Sequence, residues 1–355
     1  MSDFDQAAAV PPEAVHMLSD PDSGLEGVIV LHSTRLGPAA GGCRFWTYPG
    51  PQEMRRDALR LAEGMAYKNA MADLPLGGGK AVIRAPEGGF DRARLFAAFG
   101  RAVDRLRGTY VTAEDAGTGV TDMQAVSGAT RHVAGLAASE GRPGGDPSPW
   151  TALGVFLAMQ EAARRKLGTG LDGLTVAVQG LGHVGSALCA LLHEAGARLI
   201  VSEPRSDVAA HVACRYGAMI SHPQMIVEAK CDVFAPCALG AVLNARSIPK
   251  LRAAIVCGAA NNVLASEEDG DRLAERGVLY APDYVVNAGG IINVCAEYLG
   301  WSQEEVETRV RSTGDRLAAV LDHAERSATA PHRAADALAR RRIAAVHPRA
   351  HSRAA

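Results

Sequence analysis

One short stretch constrains the fold of this chain more than any other: VAVQGLGHVG, Val176 to Gly185. An apolar strand runs into G-x-G-x-x-G, and the same residues open a helix. Gly180 allows a tight turn, Gly182 lets the backbone approach a pyrophosphate, and Gly185 permits close helix–strand packing. The exposed N–H groups of the loop and the positive end of the helix then favour phosphate, with His183 a loop residue and Val184 opening the helix. Alone, the pattern is a weak signal. Its context strengthens it, because the next apolar strand, Arg198 to Ser202, ends at Glu203. A carboxylate about 20 residues on is where a ribose hydroxyl finds its acceptor. Glu203 favours NAD, since a carboxylate repels the 2′-phosphate of NADP. Arg205 leaves a choice open: it is either a solvated loop residue or an acceptor for that phosphate.

The rest of the second half fits a nucleotide-binding domain of this kind. Helical spacing over Thr151–Lys166 precedes an apolar strand at Leu174–Val178. A helix follows at about Val184–Ala195, then a strand at Arg198–Ser202, a helix at Asp207–Tyr216, and strands at Cys231–Ala235 and Ala254–Gly258. Strands alternating with helices imply a parallel sheet in a doubly wound α/β domain. Helical periodicity resumes near Ser302, where Ser302 and Glu305 form a capping-box pattern.

The first half mixes signals. Leu25–His32 reads as a strand, Gly37–Gly42 as a turn, Met54–Asn69 as a helix, and Val82–Arg84 and Tyr110–Ala113 as short strands. The densest Gly/Pro stretch, Arg142–Pro149, reads as a loop or domain boundary. A length of 355 residues also suggests two domains. Lys plus Arg (37) nearly balances Asp plus Glu (39), so nothing suggests a nucleic-acid or membrane partner. The basic run Arg340–Arg342 reads as a solvated helix face. No apolar run reaches the length of a membrane span, and the acidic, Ala-rich start lacks the pattern of a signal peptide, so a cytoplasmic protein is expected. The seven cysteines are scattered and never spaced C-x-x-C, which argues for buried free thiols and no metal site.

Two segments lack an obvious packing reason. One runs from Gly64 to Lys80, GMAYKNAMADLPLGGGK, and carries Lys68 and Lys80. The other is TAEDAGT, Thr112 to Thr118, with Asp115. A lysine among apolar groups, or near a second lysine, has its pKa lowered and becomes a usable base. Taken one at a time, each lysine is more often a solvated side chain lying along an apolar surface.

These segments resemble the Glu/Leu/Phe/Val dehydrogenase family, in particular its leucine, valine and phenylalanine members. The matching stretches are LGPAAGGCR (Leu36–Arg44), the two-lysine segment, Thr112–Thr118, APCALG (Ala235–Gly240), GAANN (Gly258–Asn262) and YAPDYVVNAGG (Tyr280–Gly290). They recur in order from about residue 25 to about residue 345. The resemblance implies an N-terminal α/β substrate-binding and oligomerisation domain, about 1–148. It also implies a Rossmann-type doubly wound NAD-binding domain, about 149–330, separated from the first by a cleft that closes to exclude water. A C-terminal segment, 331–355, would return toward the first domain.

By motif position, the resemblance implies that Lys68 binds the substrate carboxylate. Lys80 would be the general base on the attacking water, and Asp115 would exchange a proton with the substrate nitrogen. Gly41 and Gly42 would lie against the substrate, and Ala40, Ala113, Ile291 and Val294 would form its side-chain wall. Asn287 and Gly290 would line the cleft, with Asn287 also reaching the cofactor. Thr151, Cys237, Ala238, Ala260 and Asn262 would join Gly180, Gly182, His183, Val184, Gly185, Glu203 and Arg205 around NAD. The implied activity is reversible NAD-dependent oxidative deamination of an apolar L-amino acid to its 2-keto acid and ammonia, by a homo-oligomer. The apolar wall disfavours glutamate, whose side chain needs a cation. Ala40 stands where leucine-type members carry Leu. This is either a compensated packing change or room for an aromatic substrate such as phenylalanine or tryptophan, while Trp150 replaces a small aliphatic residue. A catalytically silent NAD-binding protein is the alternative from another class, and retention of Lys68, Lys80 and Asp115 speaks against it.

Overall fold

The computed structural model describes residues 10–136, 144–238 and 240–345. The chain divides into two compact units: residues 1–138 with 339–355, and residues 139–338. The expected loop at Arg142–Pro149 is therefore seen only from Gly144 onward, and Arg142 lies outside the described residues, as do Leu239 and the tail beyond Ala345.

The first unit is built on a mixed sheet. Its strands are β1 (Ala14–Asp20), β2 (Leu25–Ser33), β3 (Ala39–Trp46), β4 (Gly77–Arg84) and β5 (Tyr110–Glu114). They lie in the order β1-β2-β4-β3-β5. The β1–β2 and β2–β4 pairs are antiparallel, and β4–β3 and β3–β5 are parallel. Helix α1 (Pro51–Met71) covers one face, packing Met54, Ala58 and Ala62 on Val28, Val30 and Val82. Helices α2 (Arg92–Asp104) and α3 (Val120–Ser127) lie on the other, where Phe96, Phe99 and Met123 meet Ile29, Cys43, Ala81 and Ile83. Side chains alternate along a strand, so Lys80 and Val82 share the α1 face.

The segment expected as a turn, Gly37–Gly42, is instead the start of the inner strand β3. Its small residues mimic turn composition, but they are small because the backbones around them are close. A side chain on Gly41 would strike the Gly79 carbonyl, and one on Gly42 would come within 2.6 Å of the Glu114 carbonyl and 2.8 Å of Asp115 Cβ. The three glycines before Lys80 likewise lie inside β4. Helix α1 rests directly on Gly78, where a Cβ would collide with the backbone of Ala66.

The second unit holds a fully parallel sheet. Its strands are β6 (Thr175–Gln179), β7 (Arg198–Ser202), β8 (Met219–Ile220), β9 (Val233–Pro236), β10 (Ile255–Val256) and β11 (Leu279–Tyr280). The spatial order is β11-β10-β9-β6-β7-β8. From β6 the chain adds β7 and β8 on one side, then crosses back to add β9, β10 and β11 on the other. This is the doubly wound arrangement, and its ligand crevice opens at the carboxyl ends of β6 and β9, where the order reverses. The helices are α4 (Ser148–Leu167), α5 (His183–Glu194), α6 (Ser206–Tyr216), α7 (Glu267–Glu275), α8 (Asp283–Val286), α9 (Gly289–Leu299), α10 (Gln303–Arg311), α11 (Thr313–Ser327) and α12 (Pro331–Ala345). The capping box at α10 forms: Ser302 N–H donates to Glu305 at 2.9 Å and Glu305 N–H to Ser302 at 3.2 Å.

Helix α12 begins in the second unit and ends in the first. Its basic run is not simply a solvated face. Arg340 donates to the Tyr67 hydroxyl at 2.8 Å, and Arg342 donates to Asp73 at 2.7 Å and to the Ala70 carbonyl at 3.0 Å. A cation over the last carbonyls of α1 complements the negative end of that helix. All seven cysteines are free. Cys214 on α6 is exposed, Cys237 is half-buried and the other five are buried. Among the described residues no helix is long and apolar enough to cross a membrane, and no group of His, Cys, Asp and Glu is placed to hold a metal ion.

Candidate active site

In the first unit, three strands bring charge together. Lys80 on β4 is buried and places Nζ 2.6 Å from Oδ2 of Asp115, just past the end of β5. Arg44 on β3 adds a second cation, its Nε 3.3 Å from the same oxygen. Arg44 is itself held by Asp57 of α1 at 2.9 Å, and Tyr48 donates to Asp57 at 2.7 Å. Burial alone would raise the Asp115 carboxyl, but Lys80 and then Arg44 outweigh it and hold it below the usual carboxylate range. The Asp115 backbone N–H donates to Thr118 Oγ1 at 2.8 Å, and Thr118 reaches the Cys43 carbonyl at 3.0 Å, which fixes the turn that presents the carboxylate.

Lys68 lies half-buried on α1. Its neighbour Asn69 is fully buried and donates to the Gly77 carbonyl at 2.6 Å and the Ala40 carbonyl at 3.3 Å. One amide thus ties α1 to the starts of β4 and β3. Ala40 and Ala113 are buried in β3 and β5. Arg44 and Asn69 were not among the residues expected at the site. The signal for Arg44 was alternation along β3, which the turn-like glycines concealed.

In the second unit, the glycine loop follows β6 at the switch point. Gly180 has φ +95, which favours glycine, and a Cβ there would come within 2.6 Å of Ala238 Cβ. Gly185 lies against the Gly180 carbonyl. Gly182 differs. It caps α5 with φ −67 and no side-chain cap bond, and among the described residues nothing lies within 4 Å of a Cβ placed on it. The fold therefore does not need glycine at position 182. The open space beside a helix N-terminus fits a pyrophosphate. Val184 lies in the first turn of α5. His183, expected as a loop residue, is the first residue of that helix. It is exposed, with Nδ1 3.7 Å from Asp146.

Glu203 stands at the end of β7. Its Oε2 accepts from the Leu181 N–H at 2.9 Å and its Oε1 from Arg205 Nε at 2.8 Å. The Arg205 bond, helped by the Leu181 N–H and opposed by burial, holds this carboxyl low. Near the ends of β10 and β11, Asn287 donates to the Ala259 carbonyl at 3.1 Å, to the Ala260 carbonyl at 3.4 Å and to Asn261 Oδ1 at 2.9 Å. Its own Oδ1 is buried and has no hydrogen-bond partner among the described residues, as is the case for Gln179 Oε1 at the end of β6. Buried acceptors of this kind await a donor. Asn262 adopts a left-handed φ of 52, which Asn tolerates. Thr151 lies in the first turn of α4, its Oγ1 donating to the Pro147 carbonyl at 3.1 Å. Trp150 beside it presents its carbonyl to Gly289, so the first turns of α4 and α9 touch backbone to backbone. Ile291 and Val294 are half-buried, one turn apart on α9.

Residues 12–132 match the domain described as Glu/Leu/Phe/Val dehydrogenase, dimerisation domain. Residues 146–218 and 201–350 match the one described as Glutamate/Leucine/Phenylalanine/Valine dehydrogenase. The chain belongs to the Glu/Leu/Phe/Val dehydrogenase family. It is 44% identical to a leucine dehydrogenase of Thermoactinomyces intermedius over 97% of this chain and 94% of that protein. It is 42% identical to a valine dehydrogenase of Streptomyces coelicolor over 95% and 93%. The crystal structure of L-tryptophan dehydrogenase from Nostoc punctiforme superposes with a TM-score of 0.84 at 39% identity, covering 95% of this chain and 97% of that one. Membership makes the chain an amino-acid dehydrogenase, an enzyme that works with a nicotinamide dinucleotide.

Proposed function

We propose that this dehydrogenase catalyses the reversible oxidative deamination of an apolar L-amino acid of the leucine type to its 2-keto acid and ammonia, with NAD as oxidant. The observation that carries the reading is the pair formed by buried Lys80 and half-buried Asp115 at 2.6 Å, two titratable groups facing each other beside strand backbone. The nicotinamide dinucleotide, held by the glycine loop and Glu203, would supply the hydride-accepting chemistry. The protein supplies the rest. Lys68 binds the substrate carboxylate. Lys80 takes a proton from the water that attacks the oxidised α-carbon and then polarises the developing keto oxygen. Asp115 exchanges a proton with the substrate nitrogen, which leaves as ammonia. Lys80 is a base only when neutral, so it must shed its proton before it can activate the water.

Gly180, Gly182, His183, Val184 and Gly185 hold the pyrophosphate, and Glu203 accepts from the ribose. Thr151, Cys237, Ala238, Ala260, Asn262 and Asn287 line the remainder of the nucleotide site. The Asn287 Oδ1 left without a partner supports a ligand there. Ala40, Gly41, Gly42 and Ala113 are assigned to the substrate, as, separately, are Gly290, Ile291 and Val294. The wall residues are apolar, as are the substrates named for the leucine and valine relatives. A second reading, an aromatic substrate, is favoured by Ala40, small and only 2% exposed, and by the tryptophan dehydrogenase match. The match of residues 12–132 to a dimerisation domain supports a homo-oligomer built on the first unit.

The test is NADH absorbance with Leu, Val, Ile, Phe, Trp and Glu, using the wild type and Lys80→Ala. Turnover of Leu, Val or Ile is the expected result, with the variant slower by roughly 1,000-fold. A preference for Phe or Trp moves the reading to an enlarged pocket at Ala40. Near-wild-type turnover by Lys80→Ala refutes the role given to Lys80. No turnover with dinucleotide binding intact restores the silent binder.

A further inference from the structure

Three adjacent strands of the first sheet, β4, β3 and β5, carry a row of charge that the reaction as described does not fully use. Lys80 and Arg44 meet at one oxygen, Asp115 Oδ2, with Nζ at 2.6 Å and Nε at 3.3 Å. Arg44 Nε and Asp115 Oδ2 are both buried and neither makes an aligned hydrogen bond among the described residues, so charge ties them rather than hydrogen-bond geometry. The far end of Arg44 is anchored. Its Nη1 donates to Asp57 of α1 at 2.9 Å, and Asp57 also accepts from Tyr48 at 2.7 Å and from Arg60 at 3.0 Å. Lys68 on α1 is the remaining cation assigned to the site. On the opposite face of β3, burial keeps the Cys43 thiol protonated, and beyond it Arg92 and Asp122 pair at 2.7 Å. Glu114 points to the opposite side of β5 from Asp115 by strand alternation.

A Lys–Asp pair by itself can discharge internally: the proton moves from Nζ to Oδ2, leaving a neutral amine and a neutral carboxylic acid. That step would make Lys80 a base, but it would leave Asp115 unable to take a proton from the substrate nitrogen. Arg44 opposes it. A guanidinium is not deprotonated in a protein, so its charge stays beside Oδ2 when the lysine is neutral. We propose that Arg44 is a positioning residue for the reaction, the permanent cation that keeps Asp115 a carboxylate while Lys80 gives up its proton. Little water reaches Nε or Oδ2, so solvent screens the attraction weakly. Asp57 and Tyr48, gripping the outer end, keep the inner end turned to Asp115. The proton that Lys80 sheds therefore leaves the pair, and the two groups titrate apart, one as base and one as acceptor for the amine.

The role of Arg44 rests on the one given to Asp115 above, and the test separates the two. The full-length protein is assayed in the amination direction with the 2-keto acid of leucine, NADH and ammonia, each rate expressed per free ammonia, across pH. In that direction the active form has Lys80 protonated and Asp115 ionised, so the acid limb belongs to Asp115 and the alkaline limb to Lys80. Wild type, Arg44→Met, Arg44→Gln, Arg44→Lys and Asp115→Asn are compared, with thermal melting as the check on folding. Asp57 keeps Tyr48 and Arg60 as partners in the Arg44 variants. A carboxyl that loses a neighbouring cation titrates higher, so activity fails earlier as the pH falls. Arg44→Met and Arg44→Gln are expected to move the acid limb upward by about one pH unit or more. Arg44→Lys, which keeps the charge, returns most of that displacement, and Asp115→Asn abolishes the limb. Neutral Arg44 variants that are slower by the same factor at every pH, with the limb in place, overturn the role of Arg44 and leave that of Asp115 standing. An acid limb that survives in Asp115→Asn overturns the role of Asp115 itself.

Discussion

Two glycine-rich segments of this chain have similar composition and opposite surroundings. Around Gly77–Gly79, the missing side chains are replaced by the protein itself: the Ser33 carbonyl, the backbone of Ala66, and Val30 O at 3.0 Å with Ala39 Cβ at 3.1 Å. Around Gly180–Gly185, the outer two glycines are filled in the same way, but Gly182 faces open space. A glycine with a neighbour serves the fold. A glycine with none, at a helix N-terminus beside the switch point of the sheet, leaves room for a ligand. The contrast distinguishes two kinds of requirement that sequence alone writes with the same letter.

Three substitutions sharpen the comparison. The largest effect is expected for Gly78→Ala, because the added methyl meets the backbone of α1 and no side chain can move aside. Denaturant unfolding should show a loss on the order of 3 kcal/mol or more, or no folded protein. Gly182→Ala should unfold at the wild-type denaturant concentration yet weaken NADH binding by about tenfold or more, since the methyl occupies the path of the pyrophosphate. Equal loss of stability and binding there would erase the distinction. The smallest effect belongs to Gly64, mid-helix in α1, which also has nothing within 4 Å of its missing Cβ among the described residues. Gly64→Ala should raise stability by roughly 0.5–1 kcal/mol, the ordinary helix preference for Ala. If it also slows turnover, Gly64 joins Gly182 as a position kept open for a ligand.

The same contrast explains how much was legible. The second unit could be read strand by strand: β6, β7 and β9 lie close to their expected positions, because strands buried on both faces of a parallel sheet appear as plain apolar runs. The first unit resisted. In β3, Ala39 to Gly42 carry the composition of a turn, and in β4 the run Gly77–Gly79 carries no apolar pattern at all. Edge strand β1, with Met17 and other partly exposed residues, lacks a clear alternation, and α2 went unread. At the candidate site, the glycine loop and Glu203 are local features. Lys80, Asp115 and Arg44 come from three different strands and meet only once the sheet is assembled. Spacing holds no record of that meeting, which is why Lys80 and Asp115 were reached through family resemblance and Arg44 was missed.

The distribution of thiols has a practical side. Cys43, Cys189, Cys231, Cys257 and Cys295 are interior, and burial pushes the Cys237 thiol up to about 11, where little thiolate exists near neutrality. Cys214 alone faces solvent, on the helix that begins directly after Arg205. The native protein thus carries a single soft handle: a maleimide dye or a mercury atom has one address per chain, on the helix leading away from the Glu203–Arg205 pair, with no cysteine to engineer in or out.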